Sequence, residues 1–250
     1  MISLVGLSPL PGDFIMKLKC IIFDVDGTMA DTERNGHRVA FNLAFEEKGL
    51  NWNWDEELYG RLLKITGGKE RINYYQTDFL KKQVLSDEQI KNLHACKTKH
   101  YVELLQYGKI PLRSGVKELI EQALQNNIKV AISTTTTPVN VTTLLHATLG
   151  KDSKKMFSEI AAGDIVPNKK PAPDIYLHAL NNLNLRADDC IAIEDSEAGL
   201  ESAVNAGIKT IITTNLYTQN QDFSKAELVT NSLAEVNLNQ LINILGENHV

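Results

Sequence analysis

Short apolar runs bounded by turn residues recur through the second half of this chain, and one stands alone near its start. Cys20-Ile21-Ile22-Phe23 is built of β-branched and aromatic residues and ends in Asp24-Val25-Asp26-Gly27-Thr28, which predicts a buried strand closed by a turn. The period then changes. From Asp31 to about Tyr107 apolar residues recur at helical spacing, through Val39, Phe41, Leu43, Ala44 and Phe45 and again around Leu58, Leu62 and Leu63, without long strand-like runs. From Pro111 onward strands and helices alternate. Val116 to Asn127 reads as a helix and Val130-Ala131-Ile132 as a strand, after which Thr137 and Pro138 supply the N-cap and first residue of another helix. Pro173 to Leu183 is helical, Cys190-Ile191-Ala192-Ile193 is a strand, Ser196 to Ala206 is a helix closed by Gly207, and Thr210-Ile211-Ile212 is a further strand.

Strands that alternate with helices predict an α/β fold with a parallel sheet of βαβ units. The helical block interrupts that series just after its first strand. It reads as a helical cap domain, residues 32–108, inserted into a core made of residues 1–31 and 109–250, with linkers near 29–32 and 108–112.

Composition narrows the classes. The 250 residues are 43% hydrophobic, enough for one large core or a core and a smaller domain, and no apolar stretch approaches the ~20 residues of a spanning helix. A formal charge of −5 speaks against nucleic acid as a partner but leaves room for a small phosphorylated ligand, which answers to its own pocket. Cys20, Cys96 and Cys190 are odd in number and far apart, with neither a disulfide framework nor zinc spacing, so they read as reduced, buried thiols of a cytoplasmic protein. Residues 1–15 contain Pro9, Pro11 and Asp13 and lack a basic start, which makes a poor signal peptide, and Met16 offers an alternative start.

In a parallel sheet the C-terminal ends of the strands line one crevice. The first strand delivers Asp24 and Asp26 there, the second Thr134, a loop before the next helix Lys170, and a later strand Glu194 and Asp195. Two acids at one strand exit repel unless a cation or a proton relieves them. The set suits phosphoryl transfer to a carboxylate, with a hard divalent ion, a lysine and a hydroxyl balancing the phosphate charge. Each piece alone has a plainer reading. Asp-x-Asp-Gly also opens calcium loops, though the later ligands are missing, Lys-Pro is often a solvated turn, and Glu-Asp after a strand is often only polar. His94 and His100 read as residues of a solvated helix face, and Trp52 and Trp54 as packing within the cap.

These residues resemble the four motifs of the haloacid dehalogenase superfamily: Asp24-Val25-Asp26-Gly27-Thr28, Thr134, Lys170 within Lys-Lys-Pro-Ala-Pro-Asp-Ile-Tyr, and Glu194-Asp195-Ser196. The resemblance spans Lys17 to about Leu233 and implies a Rossmann-like core with an inserted helical cap. It implies Asp24 as nucleophile, Asp26 as acid and base, and Thr134 and Lys170 as phosphate binders. It also implies Mg²⁺ held by Asp24, the Asp26 carbonyl and Asp195, with Glu194 as a further ligand or outer group. Members that act as dehalogenases lack the second acid, so Asp26 points to phosphate chemistry.

Within the superfamily, Asp31 to Asn42, Trp52-x-Trp54-Asp55, Thr66 to Ile72 and the Thr134–Thr137 run with Pro138 and Asn140 resemble the CbbY-type phosphatases, which act on xylulose-1,5-bisphosphate. That similarity implies substrate contacts at Glu33, His37, Gly67, Gly68, Lys69, Glu70, Arg71, His94, Lys97, Thr134, Thr135, Thr136, Thr137 and Asn140. The expectation is a monomeric Mg²⁺-dependent phosphatase of a small sugar phosphate, with neither nucleic acid nor a membrane as partner. A β-phosphoglucomutase-like isomerase and a non-catalytic phospho-ligand sensor are the alternatives.

Overall fold

The structure, a computed structural model, describes residues 18–246; the expectations for residues 1–15 lie outside them. Among the described residues six strands form one parallel sheet: β1 (Cys20–Phe23), β2 (Lys129–Thr134), β3 (Glu159–Ala162), β4 (Cys190–Glu194), β5 (Lys209–Thr213) and β6 (Leu228–Thr230), in the spatial order β3-β2-β1-β4-β5-β6. The expected α/β class with a parallel sheet is what the chain forms. β1 is central, with β2 on one side and β4 on the other, so the strand order reverses beside it and opens a crevice at its C-terminal end.

The central strands are buried on both faces, and the two faces differ in the size of their residues. Ile21, Phe23, Val130, Ile132, Ile191 and Ile193 pack against helices α5 (Val116–Gln125), α6 (Pro138–Leu149) and α9 (Leu238–Gly246). Cys20, Ile22, Ala131, Cys190 and Ala192 meet helices α7 (Asp174–Leu183) and α8 (Glu197–Asn205). Small residues let that second pair of helices lie close to the sheet. All three cysteines are free and buried.

Between β1 and β2 the chain makes helices α1 (Arg38–Glu47), α2 (Glu56–Leu62), α3 (Gly68–Tyr74) and α4 (Asp87–Gln106), preceded by a π-type turn over Glu33–His37. Ser86 opens α4 with a full capping box to Gln89, and Asp55 caps α2 through the Leu58 N–H. This block has a core of its own, in which Trp54 is enclosed by Phe41, Phe45 and Tyr75 at ring separations of 4.7, 4.9 and 5.3 Å. Trp52 packs on Phe45 and Tyr75.

The helical periodicity placed α5, α7 and α8 within two residues of their observed ends. It missed β3, β6 and α9. The two strands are sheet edges of four and three residues, too short and too partly exposed to carry a clear apolar pattern. No helix among the described residues is long and apolar enough to cross a membrane.

Gly115, which precedes α5 with φ +86°, lies where an added Cβ would fall on the backbone of Leu233 and Ala234. Gly115→Ala combines that clash with a left-handed backbone and is expected to lower unfolding free energy by about 2–3 kcal/mol. Urea denaturation midpoints of the two proteins measure it; coincident midpoints would mean that the loops simply part.

Candidate active site

The crevice beyond β1 holds the chemistry. β1 ends at Phe23, and Asp24 stays in the strand direction because its N–H donates to the Ile193 carbonyl of β4 at 2.9 Å. The chain then turns through Gly27, whose φ of +84° and whose approach to Asp195 and Asn215 leave no room for a Cβ. This turn sends the Asp24 and Asp26 carboxyls to different neighbours.

Asp24 belongs to a buried cluster around Lys170. The Lys170 ammonium donates to Asp24 Oδ1 at 2.6 Å, to Glu194 Oε1 at 2.5 Å and to the Ser133 carbonyl at 3.0 Å, so its three donors are all used. Glu194 Oε1 also accepts from the Tyr176 hydroxyl at 2.7 Å, while Glu194 Oε2 accepts the Asp195 N–H at 3.3 Å. Asp195 Oδ2 is oriented by the Asn215 amide at 2.7 Å. Burial pushes the Asp24 carboxyl up to about 8 against the pull of Lys170, and burial with the charges of Asp24 and Glu194 raises Asp195 well above the usual range. Three acids are thus crowded around one ammonium, which bonds two of them.

Asp26 has the opposite surroundings. Its Oδ1 accepts from the Thr32 hydroxyl at 2.6 Å and from His37 Nε2 at 3.0 Å. Lys97, which has donors and no acceptor, meets His37 Nδ1 at 2.6 Å, so the ring proton sits on Nε2 and points at Asp26. The His37 ring is stacked on Tyr101 at 4.0 Å. Burial works against the charge of Asp26, yet His37, Thr32 and Lys97 outweigh it and hold the carboxyl at about 2. Burial brings Lys97 itself down to about 8, despite Glu33 and Asp26 nearby. The wide turn over Glu33–His37 presents His37, with Thr32 just before it, to one carboxyl oxygen.

The helical block stands over this floor and encloses two adjoining spaces. One, of about 440 Å³, is lined by Asp24, Asp26, Glu33, Gly67, Arg71, Thr134, Thr135, Lys170 and Asp195. The other, of about 160 Å³, is lined by His37, Gly68, Lys69, His94, Lys97, Thr136, Thr137 and Asn140, and shares Asp26, Glu33, Gly67, Arg71 and Thr135 with the first. Arg71 is buried, with bonds to the Tyr59 hydroxyl at 2.9 Å and the Ile65 carbonyl at 3.2 Å, and Tyr59 in turn donates a short bond to Glu33. Arg71 Nε, Thr137 Oγ1 and Asn140 Oδ1 are buried without a protein partner. Thr134 Oγ1 accepts the Thr136 N–H at 3.2 Å, which leaves its own proton free to donate.

Two expectations change in the fold. His94 is not on a solvated face: it is turned toward Gly68 in the cleft, where burial and Lys97 lower its pKa to about 3. Glu70 does not line the cleft; it pairs with Lys169 at 2.9 Å. Lys69 pairs with Asp164 at 3.1 Å, and Lys169 also reaches Asp164 at 3.2 Å, so four alternating charges join α3 to the loop before α7.

Sequence reasoning passed over Asn215, Asp164, Lys169 and Arg113. Asn215 follows β5 and was within reach of the strand-end rule that found Asp195. Arg113 carries no motif; its guanidinium donates to the carbonyls of Gly27, Thr213, Thr214 and Asn231 and so binds three strand-end loops together.

The pattern of the haloacid dehalogenase-like hydrolases matches residues 18–207, a range that takes in Asp24, Asp26, Glu194, Asp195 and Lys170. The chain belongs to that family. This hydrolase is 48% identical over 212 residues to Protein CbbY of Rhodobacter capsulatus, covering 85% of this chain and 92% of that one. It is 30% identical over 230 residues to the Phosphorylated carbohydrates phosphatase of Thermotoga maritima, covering 92% and 99% of the two chains. Its fold matches a crystal structure of a CbbY mutant from Rhodobacter sphaeroides in complex with xylulose-(1,5)bisphosphate, with a TM-score of 0.82, 40% identity and coverage of 87% and 96%. Hydrolases of this family generally use a divalent metal.

The donor set of this chain fits a hard cation. Asp24, Glu194 and Asp195 are buried with ligand oxygens within 4.8 Å of one another, and the single Lys170 cannot neutralise them. A divalent cation present at 100 times its Kd is therefore expected to stabilise the wild type by about 2.7 kcal/mol. That corresponds to a rise of about 5–10 °C in Tm for a chain of this size. Thermal melts with and without chelator, on wild type and Asp195→Asn, read this out; an equal response in both proteins would place the cation elsewhere.

Proposed function

We propose that this hydrolase is a Mg²⁺-dependent phosphatase of small sugar phosphates, acting through an aspartyl-phosphate on Asp24, with a sugar bisphosphate such as xylulose-1,5-bisphosphate as its substrate. The observation that carries the reading is the division of labour between two acids only two residues apart. Asp24 stands in the Lys170 cluster, while Asp26 is held ionised by Thr32 and His37 outside it.

Asp24 would attack phosphorus, forming a bond from its carboxylate oxygen as the sugar–oxygen bond to phosphorus breaks. Lys170 and the Thr134 hydroxyl would hold the equatorial oxygens. Mg²⁺ held by Asp24, Asp195 and the backbone carbonyl of Asp26 would screen the charge that otherwise repels the nucleophile. Glu194 gives its oxygens to Lys170, Tyr176 and the Asp195 N–H, so its part is to fix Lys170. The arriving phosphate dianion favours protonated Asp26, which would protonate the leaving alkoxide. The same carboxylate would then take a proton from the water that hydrolyses the acyl phosphate.

Residues 32–108 would act as a cap that excludes bulk water and carries the rest of the recognition. A second phosphate fits the adjoining space, where Lys97, Lys69 and Arg71 supply charge and Thr137 and Asn140 leave polar atoms unpartnered. The family resemblance to CbbY and the bisphosphate bound by the R. sphaeroides relative support the choice of substrate.

Phosphate release from a panel of sugar phosphates, including xylulose-1,5-bisphosphate and β-glucose-1-phosphate, with and without Mg²⁺, tests the reading directly. Asp24→Asn is expected to lose at least about 10⁴ in rate, as for removal of a nucleophile. Asp26→Asn is expected to lose about 10²–10⁴, the usual contribution of a proton-transfer group. Wild-type turnover in either variant would refute the mechanism. Lys69→Ala is expected to raise KM for bisphosphates more than for p-nitrophenyl phosphate; equal effects would remove Lys69 from substrate recognition.

A further inference from the structure

We propose that Glu47, Cys96 and His100 form a binding site for a divalent transition-metal ion of the zinc class, separate from the cleft. None of the three lines either cleft space. Cys96 and His100 are four residues apart on α4 and so lie one turn apart on one side of that helix. Glu47 is the last residue of α1, which packs along α4, and its Oε2 lies 2.9 Å from His100 Nε2. The thiol sulfur, a ring nitrogen and a carboxylate oxygen all fall within 4.8 Å of one another.

The chemistry of the donors identifies the ion. The acids of the cleft offer oxygen alone and suit a hard cation, whereas sulfur, imidazole nitrogen and one carboxylate suit Zn²⁺ with water in a fourth position. His100 also has a second carboxylate beside its other ring nitrogen, on the side where metal-bound histidines commonly meet one. Its Nδ1 faces Glu103 Oε2 at 3.6 Å, one turn further along α4, leaving Nε2 toward Glu47 and the ion. On binding, the thiol of Cys96 releases its proton to solvent, and the ring proton that His100 Nε2 directs at Glu47 leaves through solvent with Nδ1 carrying the remaining N–H, so the ion replaces the contacts by which Glu47 now holds Cys96 and His100. Lys48 and Lys99 are the nearby cations, and both are exposed, where water and salt screen them. The bound ion would clamp the C-terminal end of α1 to the middle of α4.

Cobalt provides the test, because a thiolate bound to Co²⁺ produces a charge-transfer absorption that oxygen ligands do not. The other two cysteines, Cys20 and Cys190, are fully enclosed between the sheet and the α7/α8 layer. The metal-free full chain is titrated with Co²⁺ in excess Mg²⁺, which occupies hard-oxygen sites, and then with Zn²⁺. The expected result is a thiolate band that saturates at one equivalent of Co²⁺ and is displaced by Zn²⁺. His100→Gln and Glu47→Gln, at positions on or near the surface, are expected to weaken Co²⁺ binding more than tenfold, and Glu103→Gln by about tenfold. Cys96→Ser is expected to abolish the band, and Asp24→Asn to leave it unchanged. Absence of the band at millimolar Co²⁺ would overturn the proposal. So would a band of undiminished affinity in both His100→Gln and Glu47→Gln, since that would be a lone thiol. Should Cys96→Ser fail to fold, those two variants carry the test.

Discussion

The site rests on one buried ammonium. Lys170 has three donors and spends them on Asp24, Glu194 and the Ser133 carbonyl, and so on β1, β4 and β2 at once. Carboxylates this deeply buried repel each other and resist ionisation, so without Lys170 their cluster could not persist with its charges in place. Removing one partner of such a group leaves the others uncompensated, which is why its members behave as a unit. Burial and mutual repulsion raise Asp24 and Asp195 so that a proton or a cation must relieve them, which is what makes the cluster receptive to a cation. Stability and chemistry are thus two consequences of the same electrostatic imbalance.

A second arrangement, built from different elements, works on Asp26. Thr32 and His37 come from the start of the helical block and Lys97 from α4, so the surroundings of Asp26 are set by the helical block, while those of Asp24 are set by the strand ends. The insertion therefore does more than cover the cleft. Any movement of α4 and the Glu33–His37 turn away from the sheet would take away the groups that keep Asp26 ionised. The packing of the helical block and the charge state of Asp26 thus depend on the same side chains.

The helical block also has its own means of holding together. Trp54 and the rings around it form a core independent of the sheet, and the ion pairs Lys69–Asp164 and Lys169–Glu70 join it to the core across the cleft mouth. These pairs are partly exposed and individually weak. Buried aromatic packing holds the block together, and partly exposed charge pairs tie its edge to the core.

The sequence by itself determined the parallel α/β class, the helical interruption after the first strand, and the residues at the ends of β1, β2 and β4, because buried central strands are written as unbroken apolar runs and turn residues mark where they stop. It could not show β3 or β6, whose edge positions bury too little to leave a pattern. Position in the chain likewise said nothing of who meets whom. Helical spacing along α4 put His94 on a solvated face, but α3 lies against that face and encloses it. Cys96 and His100 lacked any metal spacing that sequence could recognise, because their third partner comes from α1. The sequence placed Asp24 and Asp26 two residues apart. Only the tertiary structure decided that one carboxyl joins Lys170 and the other His37, since those partners are 146 and 11 residues away and converge only when the sheet and the helical block have packed.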